Sequence, residues 1–422
     1  MEVVMNRRLL VTIGLAAFMG GLCGAAQADK PLLRVVVEAG DVERVDTPVS
    51  MPVPPFWAQT LHGRPFHLEE VVSVGRVPVP AQILPGDKPR MCWILTGRTR
   101  PGDSRTYEVY VGAPPETPAV QVTADDKALV VAVGDDKVLQ YNHATVPPPP
   151  GHSALFNRSA FIHPVWSPAG AVLTNIHPPD HIHHMGLWMP WTSTEFEGRH
   201  VDFWNLGSGQ GTVRFRELLG REGGPVFGSF RVRHEHVDLK APGGEKVALD
   251  EMWDVLVWNT GGADKGYYVW DFVSTQRCAS SSPLHLPAYR YGGFGFRATA
   301  QWKEGQADYL TSEGKTRKDG HGTRARWCMA FGPTDKGDAG IVFMSHPQNH
   351  EHPEPMRLWP SGDIFFNFCP VQQKDWTLEP GRDYVFRYRL FVYNGTLNAE
   401  RAERAWQDFA NPPVVRVVRE AN

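Results

Sequence analysis

The segment FRVRHEH, residues 230–236, alternates strictly between two kinds of side chain. In an extended chain one face would carry Phe230, Val232, His234 and His236, and the charged residues between them would point the other way. This period of two is typical of a β-strand with one buried face. The segment therefore predicts one strand of an antiparallel sheet.

Segments of similar character lie on both sides of this strand, separated by glycine and proline. We predict further strands at residues 33–37, 91–95, 105–111, 128–133, 138–141, 248–258, 267–274, 341–344, 364–368 and 384–393. The 36 prolines and 41 glycines exclude many long helices. No repeat of 20–50 residues is visible, which argues against a propeller or a solenoid.

One helix is predicted near the end of the chain, with Asn398 as a candidate N-cap. Its apolar residues at helical spacing are Ala402, Ala405, Trp406 and Phe409. The predicted fold class is therefore all-β: a large antiparallel β-sandwich with a small N-terminal β unit and a C-terminal helix on its exterior.

The chain divides by composition into three parts. Residues 1–28 predict a signal peptide, with a basic start at Arg7 and Arg8, an apolar core at residues 9–19 and an Ala-Gln-Ala cleavage site ending at Ala28. Residues 29–125 predict the N-terminal β unit, and residues 126–422 predict the main sandwich. We expect an exported protein, periplasmic or secreted.

The overall charge argues against two classes of partner. The net charge is −3, with basic and acidic residues well mixed and no Lys/Arg-rich run, so nucleic acid and anionic membrane surfaces are poor partners. No segment has the apolar length of a membrane span. Aromatic residues make up 11% of the chain, with 14 Trp. That content fits a carbohydrate binder, and it equally fits a large β core. The oligomeric state is not predicted.

Four cysteines remain after the expected cleavage: Cys92, Cys278, Cys328 and Cys369. Their wide spacing contains no CxxC pair and no zinc-finger pattern. An exported protein could join them in one or two disulfides, or keep them as buried thiols among apolar neighbours.

Histidine is concentrated between residues 161 and 204, which hold six of the 17 histidines. The segment DHIHHMGLW, residues 180–188, is the densest part. If it is extended, His181 and His183 share one side and, with Asp180, could hold a divalent metal ion. The metal-free alternative is general acid and base catalysis by neutral imidazoles. A purely structural role is expected for His177 and His200.

Two later segments carry further candidates. Residues 289–297, YRYGGFGFR, hold Arg290 and Arg297, which could bind ligand oxygens or form structural salt bridges. Residues 346–353, HPQNHEHP, follow a predicted strand. There His346 and Asn349 are expected to meet the first histidine group across a cleft.

Several motifs together resemble the exported bacterial PmoA-like family, which carries the label "methane oxygenase PmoA". The resemblance covers residues 137–395 and rests on residues 141–142, 161–164, 180–188, 202–204, 291–297, 326–327 and 346–349. Ile182 and Met185 stand where the usual family motif has Pro and Arg. The membrane subunit with that name spans the bilayer many times, whereas this chain has no predicted span. The family is instead similar to galactose-mutarotase-like β-supersandwiches, which implies a sugar-handling site on a concave sheet face.

The resemblance and the residues together define an expected site. The catalytic residues expected are His183, His184, His346 and Asp180. The substrate-binding residues expected are His163, Trp188, Trp204, Arg290, Arg297 and Asn349, with the two indoles stacking on a sugar ring. One divalent metal ion on His181, His183 and Asp180 is an open addition. We predict binding and conversion of a sugar or sugar derivative by an epimerase, lyase or hydrolase. The alternatives are a copper- or iron-dependent oxygenase and a non-catalytic sugar-binding module.

Overall fold

The computed structural model of the chain describes residues 30–53, 57, 65–113 and 119–418. The predicted signal peptide lies outside these residues. The described chain consists almost entirely of strands and turns. The strands are β1 (Leu33–Glu38), β2 (Arg44–Pro52), β3 (Phe66–Val72), β4 (Gly75–Val79), β5 (Ala81–Leu84), β6 (Arg90–Thr99), β7 (Ser104–Val111), β8 (Val120–Ala124), β9 (Ala128–Val133), β10 (Asp136–Asn142), β11 (Phe161–Val165), β12 (Leu187–Trp188), β13 (Thr194–Phe196), β14 (Arg199–Val201), β15 (Gly211–Glu222), β16 (Phe227–Asp238), β17 (Lys246–Gly262), β18 (Tyr267–Cys278), β19 (Leu284–Leu286), β20 (Phe294–Arg297), β21 (Asp308–Thr311), β22 (Trp327–Thr334), β23 (Gly337–Ser345), β24 (Met356–Leu358), β25 (Phe365–Phe368), β26 (Trp376–Leu378), β27 (Tyr384–Asn394) and β28 (Val414–Val418). A 3₁₀ turn covers Ala154–Phe156, and the C-terminal helix α1 covers Ala399–Ala410.

Two eight-stranded antiparallel sheets form the main sandwich. The front sheet has the order β24-β25-β20-β12-β11-β10-β9-β8, and the back sheet has the order β15-β16-β17-β18-β27-β23-β22-β21. The core between them is aromatic and aliphatic; examples are Trp253, Trp270, Phe296 and Phe366. A small sheet, β14-β13-β19-β26, also contributes buried leucines to this core. The predicted all-β antiparallel sandwich is confirmed.

The alternating segment at residues 230–236 lies in β16, near the edge of the back sheet. Phe230, Val232 and His234 are buried, as the alternation predicts. On the opposite face Arg231 pairs with Asp254, its cross-strand partner on β17, with 2.5 Å between the guanidinium Nε and a carboxylate oxygen. Opposite charges placed directly across a ladder favour this register.

The outer face of the back sheet is covered as well. Helix α1 lies there, capped by Asn398, whose side chain accepts a hydrogen bond from the Arg401 amide at 2.9 Å. Ala402 and Trp406 of the helix pack on the sheet, and so does Cys92 of β6. The predicted C-terminal helix on the sandwich exterior is confirmed.

The N-terminal residues form a second, smaller sandwich of their own. Its sheets have the orders β28-β1-β7-β3-β4 and β2-β6-β5, and Trp57, Trp93 and Tyr107 lie in the core between them. Strand β8, within the predicted N-terminal unit, pairs instead with β9 of the front sheet. Strand β28 returns from the chain end to pair with β1. The division at residue 125 stays a prediction. Strand β8 precedes this boundary but pairs with the main sandwich, and β28 follows it but pairs with the N-terminal unit.

Cys92, Cys278, Cys328 and Cys369 are buried and unpaired in the described structure. Of the two alternatives, buried thiols is therefore the one observed. No helix of the described chain is long and apolar enough to cross a membrane.

Candidate functional site

The histidine-rich segment lies on the outer face of the front sheet, the face directed away from the back sheet. Strand alternation places it there. Leu187, Phe296 and Phe366 point into the sandwich core, whereas their neighbours Trp188 and Phe365 point outward into a separate aromatic cluster. Chain geometry at the start of β12 requires glycine. Gly186 has φ +67°, and a Cβ there would lie 2.5 Å from the Ile162 carbonyl oxygen.

A buried arginine organises the front of this site. Arg297, the last residue of β20, is completely buried and donates two hydrogen bonds to the Asp180 carboxylate, at 2.8 and 2.9 Å. It also donates to Asp363 at 2.8 Å, and Asp363 accepts from Lys303 at 3.0 Å. Burial alone would raise the pKa of Asp180, but the hydrogen bonds from Arg297 and His181 outweigh it and lower that pKa.

Asp180 in turn orients one imidazole. Nδ1 of His181 lies 3.0 Å from an Asp180 carboxylate oxygen, and since the ionised carboxylate only accepts, Nδ1 carries the proton. Nε2 is then the basic atom of the neutral ring. The His181 side chain is 40% exposed, and its ring lies 4.6 Å from that of Trp359. Asp180 therefore orients His181, and not His183 or His184, the two histidines of this loop that were expected to be catalytic.

His183 and His184 lie behind His181. His184 is buried, with its ring 4.9 Å from Phe365 and 5.0 Å from Trp188, and its Nδ1 has no hydrogen-bond partner in the described structure. Burial holds its pKa well below the usual value. His183 is half-buried, and burial, with the neighbouring His181, lowers its pKa to about 4. Both rings are therefore neutral at pH 7.

His163 and His177 complete the histidine group. Nδ1 of His163 lies 2.8 Å from the Thr174 hydroxyl, and burial lowers the pKa of this histidine to about 4. His177 donates from Nδ1 to the Ile182 carbonyl at 2.7 Å. That bond shapes the loop that carries residues 180–184, which is the structural role predicted for His177.

The aromatic residues expected to stack on a sugar have a different place. Trp188 and Trp204 are 0% and 1% exposed, with their rings 4.8 Å apart, so neither can offer a face to a ligand in this structure. The two indole rings pack beneath His184 and form what we call the aromatic floor of the site. The partly exposed aromatic residue beside His181 is Trp359, whose ring also lies 5.1 Å from the Arg297 guanidinium carbon.

The second predicted segment does not reach this site. His346 follows β23 and packs on Phe409 of α1, with ring centroids 5.0 Å apart, on the outer side of the back sheet. The Asn349 side chain donates to Glu354 at 3.1 Å and bonds the backbone of Arg387. The expected meeting of His346 and Asn349 with the first histidine group is wrong, because His346 lies on the outer side of the back sheet and the Asn349 side chain is committed to Glu354 and Arg387.

The expected metal ligands are also not assembled. Both oxygens of Asp180 accept hydrogen bonds from Arg297, so the carboxylate of the expected ligand set is already engaged. Across residues 30–53, 57, 65–113 and 119–418, no three His, Cys, Asp or Glu side chains are grouped so that they could hold a metal ion. The donor set present does not fit a copper or iron centre.

A second arginine group lies at the other side of the aromatic floor. Arg357 of β24 lies over the Tyr291 ring, 5.1 Å from its centroid, and exposed Arg290 lies 5.5 Å from the same ring. Tyr291 in turn packs edge-on against Trp204 at 5.4 Å and donates to Asn205 at 3.1 Å. Arg290 and Arg297 were both predicted to bind ligand oxygens, and their settings differ. Arg297 is paired with two carboxylates, whereas Arg290 pairs with none among the described residues.

Three residues of the site were not found from the sequence: Arg357, Trp359 and Asp363. A signal exists for two of them, since Arg357 and Trp359 alternate with buried Met356 and Leu358. Asp363 lies in a Pro-Ser-Gly-Asp turn and carries no comparable signal.

Another group of catalytic residue types is sealed inside the sandwich. Glu251 is 1% exposed and bonds Nε2 of buried His236 at 2.8 Å, Ser274 at 2.5 Å and Gln276 at 3.0 Å. These buried hydrogen bonds join three neighbouring strands of the back sheet, β16, β17 and β18. The group has no opening to a substrate and is structural.

A cavity of about 520 Å³ lies elsewhere, between the N-terminal unit and the back sheet. Its lining includes Leu84, Cys92, Leu256 and Trp258. None of the site residues described above borders it, and the described residues of its wall include no histidine.

Comparison with solved structures gives likenesses at low identity. An α-mannosidase from Enterococcus faecalis is 9% identical, with 92% of this chain and 46% of that chain covered and a TM-score of 0.44. A glycosyl hydrolase family 38 protein from Enterococcus faecalis is 11% identical over 92% and 47%, with a TM-score of 0.43. The heparan sulfate lyase HepC from Pedobacter heparinus is 9% identical over 68% and 38%, with a TM-score of 0.31. The chain spans less than half the length of each.

Comparison by sequence gives a family without an assigned chemistry. A search of curated proteins returns no match. A family model described as "Family of unknown function (DUF6807)" matches residues 128–407, which contain every residue of the histidine site. The chain therefore belongs to the DUF6807 family.

Proposed function

We propose that the outer face of the front sheet binds a sugar or sugar derivative and transforms it by proton transfer through histidine. The observation that carries this proposal is the chain of contacts from buried Arg297 to Asp180 and from Asp180 to His181. A carboxylate that is itself held in place orients the imidazole, selects its tautomer and stabilises the imidazolium when it forms.

In this arrangement Nε2 of His181 is the general base. It makes no hydrogen bond within the described residues and belongs to a side chain that is 40% exposed, so a substrate hydroxyl or C–H can reach it. Half-buried His183 lies 5.7 Å from His181, ring centroid to ring centroid, and is a hydrogen-bond partner for the leaving or incoming oxygen. The reactions that need only such proton transfers are epimerisation, β-elimination and hydrolysis.

The surroundings of His181 favour a sugar among small polar ligands. Sugar rings combine an apolar face with a rim of hydroxyl groups, so their sites pair one aromatic surface with several fixed polar groups. Trp359 supplies the aromatic surface beside His181. Asp180, His183 and His163 supply the polar groups within the same loop and strand.

An oxygenase would need a redox metal held by protein donors. Since the side chains around His181 do not fit such a centre, no step is assigned to a metal here.

The test is a substrate screen with a matched pair of variants. Neutral and acidic mono- and oligosaccharides are incubated with the protein in D₂O, and conversion and deuterium uptake are followed by NMR. His181→Ala removes the proposed base, and His200→Ala removes an exposed histidine on β14, outside the cluster. We expect His181→Ala to lower turnover by about 10²–10⁴-fold, the usual contribution of a general base, and His200→Ala to leave it unchanged.

Two results would count against the proposal. Saturable sugar binding without any product would leave a non-catalytic binding module. Equal turnover in the wild-type protein and His181→Ala would remove the proton-transfer role of this histidine.

A further inference from the structure

The site has an excess of positive charge on one side only. Around Arg297 the charges balance, because Arg297 and Lys303 face Asp180 and Asp363. Around Tyr291 they do not. Within the described residues neither Arg357 nor Arg290 forms an ion pair or a side-chain hydrogen bond, and both guanidinium groups lie within 6 Å of the same ring.

The fold directs Arg357 toward the histidine group. Arg357 pairs with Asn367 of β25, Asn367 pairs with Gly295 of β20, and Gly295 pairs with Trp188 of β12. Residues opposite one another in adjacent strands point to the same face of a sheet. Arg357 therefore shares the outer face with Trp188, and it lies near enough to His184 to lower the pKa of that imidazole.

Two unpaired like charges in this setting cost free energy. Arg357 is half-buried, and burial followed by repulsion from Arg290 lowers the pKa of its guanidinium. A half-buried cation without a counterion is unusual, since partly buried charges are normally paired. An anionic ligand group placed between the two arginines would remove that cost and could accept paired hydrogen bonds from the planar guanidinium groups.

We propose that Arg357 and Arg290 bind the anionic group, a carboxylate or a sulfate, of an acidic sugar whose ring reaches the Asp180–His181 pair. This inference rests on the proposed function and adds the substrate class to it. Both guanidinium groups lie close to the Tyr291 ring, which supplies an apolar surface beside the anionic group.

The experiment compares sugars that differ only in charge. Affinities are measured by isothermal titration calorimetry for glucuronate and galacturonate oligosaccharides, for a sulfated oligosaccharide and for their neutral counterparts. The variants are Arg357→Gln and Arg290→Gln. The control is Arg382→Gln, because exposed Arg382 also lies over a tyrosine ring, that of Tyr384, but outside the site.

We expect at least one acidic sugar to bind the wild-type protein at least about tenfold more tightly than its neutral counterpart, the scale of one charge-assisted hydrogen bond. Arg357→Gln and Arg290→Gln should each reduce that ratio, and Arg382→Gln should preserve it. Whether uronates or sulfated sugars show the preference identifies the anionic group. Since Arg290 is exposed, Arg290→Gln keeps the test valid if Arg357→Gln fails to fold.

Equal affinity for acidic and neutral sugars would overturn this inference and leave the proposed function in place. A preference that survives in both site variants would also overturn it. If no sugar of either kind binds, the proposed function fails and the inference fails with it.

Discussion

Gly295→Ala is a sharp test of the aromatic floor beneath the histidines. A Cβ at residue 295 would lie 2.6 Å from Cη2 of Trp204, where ordinary contacts are 3.4 Å or more. The indole would have to move by nearly 1 Å. It is confined by Trp188 at 4.8 Å and Tyr291 at 5.4 Å, ring centroid to ring centroid, so it cannot move alone.

The expected cost follows from overpacking a dense core, about 1–3 kcal/mol of the free energy of unfolding. One kcal/mol shifts the melting midpoint by roughly 2–4 °C in domains of 150–250 residues and by less in larger proteins, so a fall of about 2–6 °C is expected. Differential scanning calorimetry measures the midpoint. Near-UV circular dichroism reports whether the packed indoles are rearranged.

Gly220→Ala is the matched control. Gly220 also lies in a strand, β15, but a Cβ there would have no atom within 4 Å, and its φ is not positive. Alanine should be neutral there or stabilising by up to about 1 kcal/mol. If Gly295→Ala is as stable as Gly220→Ala and has an unchanged near-UV spectrum, the packing of Trp204 described here is wrong.

Three further outcomes are expected. Asp180→Asn should lower turnover as His181→Ala does. It should destabilise the protein by only about 1–2 kcal/mol, because Arg297 keeps its hydrogen bond to Asp363. A fully active variant in a kinetic assay would contradict the proposed pair of Asp180 and His181. Affinity for an acidic sugar should fall as salt is raised from 50 to 500 mM while affinity for a neutral sugar stays constant, since exposed charges are screened; calorimetry at several salt concentrations tests this. Burial raises the pKa of Glu354 from 4.5 to about 7. The protonated carboxyl group therefore favours the folded state fully below pH 4.5, and this stabilisation, on the order of 3 kcal/mol, is lost as the pH rises through 7. Denaturation at pH 5 and pH 8 should show that loss in the wild-type protein and a smaller one in Glu354→Gln.

The back sheet could be predicted from the sequence because its two faces differ. Residues 248–258, 267–274 and 384–393 all lie within observed strands, and the structure extends each strand by a few residues. The strands that carry the site gave no such signal. Strand β12 has two residues and β20 has four, and all are buried because an aromatic layer covers the outer face. Burial on both faces removes the alternation on which the prediction depends.

The site itself was predicted where it is local in sequence and missed where it is not. Asp180 and His181 are neighbours, so the sequence shows them together. Trp359 and Asp363 meet them only through the pairing of β12 with β20, of β20 with β25 and of β25 with β24. The error over Trp188 has another cause. An indole in a site and an indole under a site look alike in sequence, and only packing distinguishes them.

The aromatic floor beneath the histidines contains buried polar atoms without hydrogen-bond partners among the described residues. The indole N–H groups of Trp188 and Trp204 are buried without a hydrogen-bond partner in the described structure, as is Nδ1 of His184. Each unsatisfied buried donor or acceptor costs about 1–3 kcal/mol, and a phenylalanine at either tryptophan position would avoid it. What the indoles provide is a broad, rigid surface that holds the His184 ring in one orientation, and His184 in turn packs on His181 at 4.8 Å. Among the described residues, unpaired indole N–H groups also occur in the cores away from the site, at Trp93 and Trp253 for example, so the link between this floor and function is the fixed orientation of the His184 ring and not the unpaired donors.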